Sequence, residues 1–359
     1  MPAASRSVNV VVGEGWAALA SLARLLRETE GEILWVSGSG GRVTPAFASI
    51  ESEAAATALE GLCSQMDLSL GDRVEGRSFV REFRNKSFRE PAWKKAADLA
   101  ECRESRSVEL WGAETALVPV EEVRWESSLV EIEEQLRERL MSHERIRRIA
   151  GVPLEGFKVQ DGRVVALLFG SGEELACGRV IYADRWSQLG RLTGLPKALA
   201  FMRGREPMGV LQVVFTHVEA LRPEVREGFF SVLNRDSGDK HDRQVFGHFY
   251  RAGRESVWSS VVTPEEGEDN HLVAKRLRRM KQALEKMFAQ TEWAPGEFAQ
   301  TIKNEQVRFE EGVLLASGEL PDEPIRLARG AQALDGIEFV SDGYGVGPAL
   351  LAALSSGRA

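Results

Sequence analysis

Apolar residues in this chain recur with two different periods, and the switch between them marks out its elements. Val8-Asn9-Val10-Val11-Val12 is a short, largely β-branched run that predicts a buried strand. Directly after it, Leu19, Leu22, Ala23, Leu25 and Leu26 recur at helical spacing, and Gly31 is placed to end that helix. Ile33-Leu34-Trp35-Val36 then reads as a second buried strand. From Trp125 to Met141 the pattern is an amphipathic helix. Leu129, Ile132, Leu136 and Leu140 share one face, and Glu131, Glu133, Glu134, Arg137, Glu138 and Arg139 charge the other.

The middle of the chain changes to alternation. Gly156–Gln160 and Arg163–Phe169 flank Asp161-Gly162, a hairpin turn signal. Gly170 to Glu174 makes another turn and Cys177 to Ala183 returns as a strand, so a three-strand meander is expected to end in a buried strand. Met208–Thr216, Phe229–Leu233, Val245–Tyr250 and Ser256–Thr263 read as further strands. A helix from His271 to Gln290 follows, apolar at Leu272, Leu277, Leu284, Met287 and Phe288 and basic outside. Antiparallel strands followed by a helix predict a second, separately packed domain. Ile337–Val340 is a late strand. It leads into Ser341-Asp342-Gly343-Tyr344-Gly345-Val346-Gly347-Pro348 and a final helix, Ala349–Leu354, in which Pro348 suits the first turn.

Composition narrows the possible functions. With 359 residues, 43% of them hydrophobic, the chain can bury a sizeable core, and two domains are expected. A formal charge of −8 disfavours a nucleic-acid partner. The basic stretch Asp72–Lys95, with Phe79, Phe83, Phe88 and Trp93 interleaved, therefore reads as a locally charged cap or loop. Met1–Ser7 has no apolar signal core, and no apolar run is long enough to span a bilayer. Three scattered cysteines, Cys63, Cys102 and Cys177, fit reduced thiols and a cytoplasmic location. Five dispersed histidines give no metal-ligand spacing, and His241 reads as a solvated turn residue.

Chemistry concentrates at three glycine turns, each between a strand and a helix or loop. The first, Gly13-Glu14-Gly15-Trp16-Ala17-Ala18, has the Gly-x-Gly-x-x-Ala form of a dinucleotide-binding βαβ unit. There Gly13 allows the tight turn, Gly15 the approach of a diphosphate, and Ala18 close helix packing. The helix N–H groups from Trp16 and Ala17 onward supply the anion site. The second turn is Ser37-Gly38-Ser39-Gly40-Gly41-Arg42 and the third is the Asp342–Pro348 segment.

Taken with the Phe157–Ala183 meander, these turns resemble the flavoprotein family of amine oxidases, protoporphyrinogen oxidases and phytoene desaturases. The resemblance implies an α/β fold. A Rossmann-type FAD/NAD(P)-binding domain, discontinuous over residues 1–60, 120–189 and 317–359, would be joined by a smaller α+β substrate or cap domain. That second domain, residues 61–119 and 190–316, would contain an antiparallel sheet. It further implies FAD as cofactor, with Gly13, Gly15, Trp16, Ala17 and Ala18 at the diphosphate. Gly40, Gly41 and Arg42 would line the phosphates from the other side. Asp342 would meet the ribityl or phosphate region, and the Val346–Gly347 backbone would face the flavin pyrimidine edge.

The sequence also departs from that pattern. Ser37 stands where the family carries an acidic residue that accepts from the adenosine ribose. The connection from Ser37 to Gly40 is short, and Ser341 precedes Asp342 in place of glycine. Glu14 puts a carboxylate in the phosphate turn, which would repel phosphate unless the side chain points to solvent. No acidic-glycine segment follows Arg42, and no lysine lies in Gly209–Phe215.

Two functions follow. One is an FAD-dependent oxidoreductase whose flavin N5 accepts hydride from a small organic substrate held between the domains, with no general base identified. The other is a non-catalytic relative that binds a protein or other ligand, as in the Rab GDP-dissociation inhibitors of similar fold. Oligomeric state is not readable, and Tyr344 is either a substrate contact or an inward-packed turn residue.

Overall fold

A computed structural model describes residues 8–38, 50, 53–74, 77–84, 87–89, 123–184, 191–195, 208–221, 228–234, 245–262, 266–267, 269–289, 298–313, 334–340, 350–351 and 353–354. In chain order these form β1 (Asn9–Val12), α1 (Trp16–Glu28), β2 (Ile33–Ser37), α2 (Glu53–Gln65), β3 (Arg73–Val74), β4 (Arg77–Arg84), β5 (Ser87–Arg89), β6 (Arg124–Trp125), α3 (Leu129–Met141) and β7 (Ile146–Ala150). There follow β8 (Leu154–Gln160), β9 (Arg163–Phe169), β10 (Glu174–Ala176), β11 (Arg179–Tyr182), β12 (Met208–His217), β13 (Gly228–Asn234), β14 (Val245–Tyr250), β15 (Glu255–Val262), α4 (Asn270–Ala289), α5 (Phe298–Thr301), β16 (Ile302–Val313) and β17 (Ile337–Phe339).

The first sheet is parallel and five-stranded, in the order β17-β11-β1-β2-β7. Alternation divides its side chains between two cores. Val11, Ile33, Trp35 and Ile181 pack with α1, α2 and α3. Val10, Val12, Leu34, Val36, Val180 and Tyr182 meet Phe157, Val164, Leu167 and Phe169 of the antiparallel sheet β10-β9-β8. Covering both faces explains why the inner strands read as continuous apolar runs.

Several boundaries differ from those read in the sequence. Helix α1 ends at Glu28 and not at Gly31, because Thr29 caps it: its backbone N–H and its Oγ1 both donate to Leu25 O. The third meander strand is Glu174–Ala176, and Arg179–Tyr182 passes into the parallel sheet beside β1. The apolar trio Val180-Ile181-Tyr182 needs cover on both faces, which only that sheet provides. Trp125 belongs to β6, and α3 starts only after Ser128, whose Oγ accepts from Glu131 N at 3.1 Å. Within the basic stretch expected as a locally charged cap or loop, Arg77–Arg84 is a strand of the second sheet, parallel to β13. Helix α2 runs across the boundary expected at residue 60, and Leu62, Cys63, Met66 and Leu70 continue the core around α1.

The second sheet has seven strands in the order β16-β12-β15-β14-β13-β4-β5. One face carries Leu211, Val213, Phe215 and Trp258 against Met280, Leu284, Met287 and Phe288 of α4. The other carries Val214, Phe246, Tyr250 and Val257 against Val130 at the start of α3, which joins this sheet to the first unit. Glu134 of α3 also meets Arg308 at 3.2 Å and Arg251 at 3.8 Å. No described helix is long and apolar enough to cross a membrane.

Candidate nucleotide-binding site

Strand β1 delivers the chain to a turn that only glycine can make. Gly13 has φ +133, and a Cβ there would lie 2.4 Å from the carbonyl oxygen of Ala183. Three hydrogen bonds fix this turn, two from β2 and one from α3. Gly13 N donates to Val36 O at 3.0 Å, Trp35 Nε1 donates to Gly13 O at 2.7 Å, and Arg137 Nη2 donates to Glu14 O at 2.8 Å. Arg137 is in turn held by Glu133 at 2.6 Å.

Helix α1 begins on this fixed base. Its N-cap is Gly15, extended at φ −84 and ψ −168, and makes no side-chain capping bond. The leading N–H groups and the positive end of the helix dipole thus form an anion site of the type that holds a diphosphate. Trp16, Ala17 and Ala18 are buried, with Ala18 small enough for the helix to lie close on the sheet. These features fit the diphosphate of a dinucleotide such as FAD.

The end of β2 is built differently. Ser37 is buried, and its Oγ accepts from Arg148 Nε of β7 at 2.8 Å. The Arg148 guanidinium lies 5.3 Å from the centre of the Trp35 ring, and its Nη2 is 3.7 Å from Glu14 Oε1. Glu14 does not point to solvent as the phosphate turn was expected to require. It is 5% exposed and turned toward Arg148, whose charge offsets its own.

Among the described residues, buried polar groups lie on both faces of the seven-stranded sheet. Gln212 of β12 and Ser259 of β15 are opposite each other on the face away from α4, with Gln212 Nε2 3.4 Å from Ser259 Oγ. Gln212 is the central residue of the segment in which no lysine was found. On the α4 side, His217 lies between Ser256 Oγ (2.8 Å from Nε2) and Thr301 Oγ1 (3.1 Å from Nδ1). Thr301 donates its proton to Phe298 O and Trp258 Nε1 donates to Ser256 Oγ, so the network is complete with a neutral ring protonated at Nδ1. Burial pushes the His217 pKa down to about 4, against an opposing pull from Glu255. This histidine belongs to the core.

Of the residues singled out in the sequence, Gly13, Gly15, Trp16, Ala17, Ala18 and Ser37 come together here. Gly40, Gly41, Arg42, Asp342, Val346 and Gly347 lie outside the described residues, as do Tyr344, His241, Trp93 and Cys102. Trp35, Arg137 and Arg148 were not anticipated. Only the fold brings the two arginines to the turn, Arg137 from 123 positions away, so no spacing rule could have found them.

No family model matches the chain, and no curated protein matches it by sequence. Among solved structures it is similar to a candidate protoporphyrinogen oxidase from Exiguobacterium, with a TM-score of 0.61 and 15% identity over 98% of both chains. An oxidoreductase from Methanosarcina mazei gives 0.58 and 12%, covering 97% of this chain and 99% of that one. Glycine oxidase from Bacillus cereus gives 0.52 and 12%, covering 98% and 93%. These likenesses define the class of fold. It is a Rossmann-type parallel sheet joined to a mixed, mainly antiparallel second sheet in which only the β13–β4 pair among the described strands is parallel.

Proposed function

We propose that this protein is an FAD-dependent oxidoreductase. The observation that carries the reading is the N-terminus of α1, capped by Gly15 and set on a glycine turn held by hydrogen bonds from β2 and α3. The fold shared with structures named as oxidoreductases supports it. In this reading the N–H groups from Gly15 to Ala18 hold the diphosphate, and Gly40, Gly41 and Arg42 close over the phosphates. Asp342 meets the ribityl or phosphate region, and the Val346–Gly347 backbone lies at the flavin pyrimidine edge. When bound, the flavin supplies the redox chemistry, taking hydride at N5 from a small organic substrate.

The nucleotide domain combines residues 1–60, 120–189 and 317–359 with the remainder of α2. The pairing of β1, β2, β7, β11 and β17 in one sheet supports this division. The pairing of β4 with β13 supports grouping most of 61–119 with 190–316. Substrate then lies between the two domains. Buried, unpaired thiols such as Cys63 suit a cytoplasmic setting.

The test is the absorption spectrum of the purified protein, followed by denaturation to release and identify the flavin. Bound FAD, or reconstitution by added FAD, is expected. A colourless protein that takes up no FAD would remove the oxidoreductase reading and leave a ligand- or protein-binding scaffold.

A further inference from the structure

We infer that Glu14 recognises the adenosine ribose, carrying from the glycine turn the carboxylate that the end of β2 lacks. This rests on the FAD reading above. A ribose presents two vicinal hydroxyl groups, and a carboxylate can accept from both, whereas the hydroxyl of Ser37 offers one oxygen already engaged by Arg148 at 2.8 Å. The acidic side chain at the end of β2 is that of Glu14. A Cβ on Gly38 would be 3.9 Å from Glu14 Oε1, so this carboxylate reaches from the β1–α1 turn to the first residue after the strand.

The position is built from both sides. Arg137 fixes the Glu14 backbone through its carbonyl at 2.8 Å, and Arg148 stands 3.7 Å from the carboxylate. Arg148 also defines what the site rejects. An arginine beside a serine at this strand end is suited to a ribose that carries a 2′-phosphate. With Glu14 facing the same guanidinium, that charge is already countered, and a phosphate dianion would meet a carboxylate. The site therefore takes an unphosphorylated ribose.

The experiment measures FAD dissociation constants by fluorescence titration, with ADP and 2′-phospho-ADP as competing probes. Glu14→Gln is expected to weaken FAD roughly tenfold, the order of the difference between charged and neutral hydrogen bonds. Ser37→Glu should restore binding in the Glu14→Gln background and give no gain in the wild type. ADP should compete at least tenfold better than 2′-phospho-ADP. A measurement that needs no variant uses FAD deoxygenated at the adenosine 2′ or 3′ position, which the wild type should bind about tenfold more weakly. Equal affinity of the wild type for FAD and both deoxy forms would overturn the assignment, as would unchanged FAD affinity in a folded Glu14→Gln protein. A wild type that binds no FAD defeats the cofactor reading itself, an outcome distinct from these.

Discussion

At position 13 the backbone conformation and the proximity of Ala183 both exclude a side chain. Gly13→Ala is expected to lower stability by more than about 2 kcal/mol, because neither the positive φ nor the backbone clash can relax cheaply. A urea midpoint equal to that of the wild type would show that the turn gives way. Trp35 is less severe. Trp35→Phe keeps most of the buried ring but leaves Gly13 O without its donor, costing about 1–3 kcal/mol. His217 makes a prediction about pH. Its folded pKa of about 4 lies below the unfolded value near 6.5. The unfolded chain therefore takes up a proton first as pH falls. The stability from the neutral ring is complete above about pH 6.5 and is lost on descending to pH 4. Between pH 7 and pH 5 the loss is about 2 kcal/mol, and His217→Gln should remove that portion of the pH dependence. Parallel pH profiles for the two proteins would contradict the burial argument.

Helix α3 ties the two sheets together, and its start rests on one hydroxyl. Ser128→Ala removes the bond to Glu131 N and should cost about 1 kcal/mol, measured as a shift in the denaturation midpoint without change in slope. The elements legible in the sequence were those whose apolar period is strong. These include α1, α4, β1, β2 and the β8–β9 hairpin, which bury one face or both. Among the strands that escaped, two did so for the opposite reason. Ile146-Arg147-Arg148-Ile149-Ala150 and Ile302 to Val313 are edge strands, and their charged residues serve solvent and ion pairs more than a core. The candidate site divides in the same way. Gly13–Ala18 and Ser37 follow from local spacing, because turn, helix start and strand end are contiguous. The roles of Trp35, Arg137 and Arg148 depend on β2, α3 and β7 being neighbours, and Glu14 could not be oriented without Arg148.

Among the described hydrogen bonds, the one joining the most distant parts of the chain is ionic. Arg24 of α1, fully buried, meets Glu338 of β17 at 2.9 Å, and the same carboxylate binds Arg179 of β11 at 3.0 Å. Glu338→Ala would leave the buried guanidinium without that partner and should cost about 3–5 kcal/mol. A loss no larger than that of an exposed pair, such as Lys158–Glu174, would mean that other contacts carry Arg24.

The strand order β17-β11-β1-β2-β7 also sets a timetable for the growing chain. The first strand made sits at the centre of its sheet, and one outer strand comes from residues 337–339. While the ribosome is still adding the intervening residues, β11 has a bare edge and the core beneath α1 lacks Val340 and Leu350. Pairing over such separations is slow, so the nascent protein passes through a long interval with sticky surface exposed. A nucleotide that stabilised the β1–α1 turn during this interval would act as a folding template as well as a reagent.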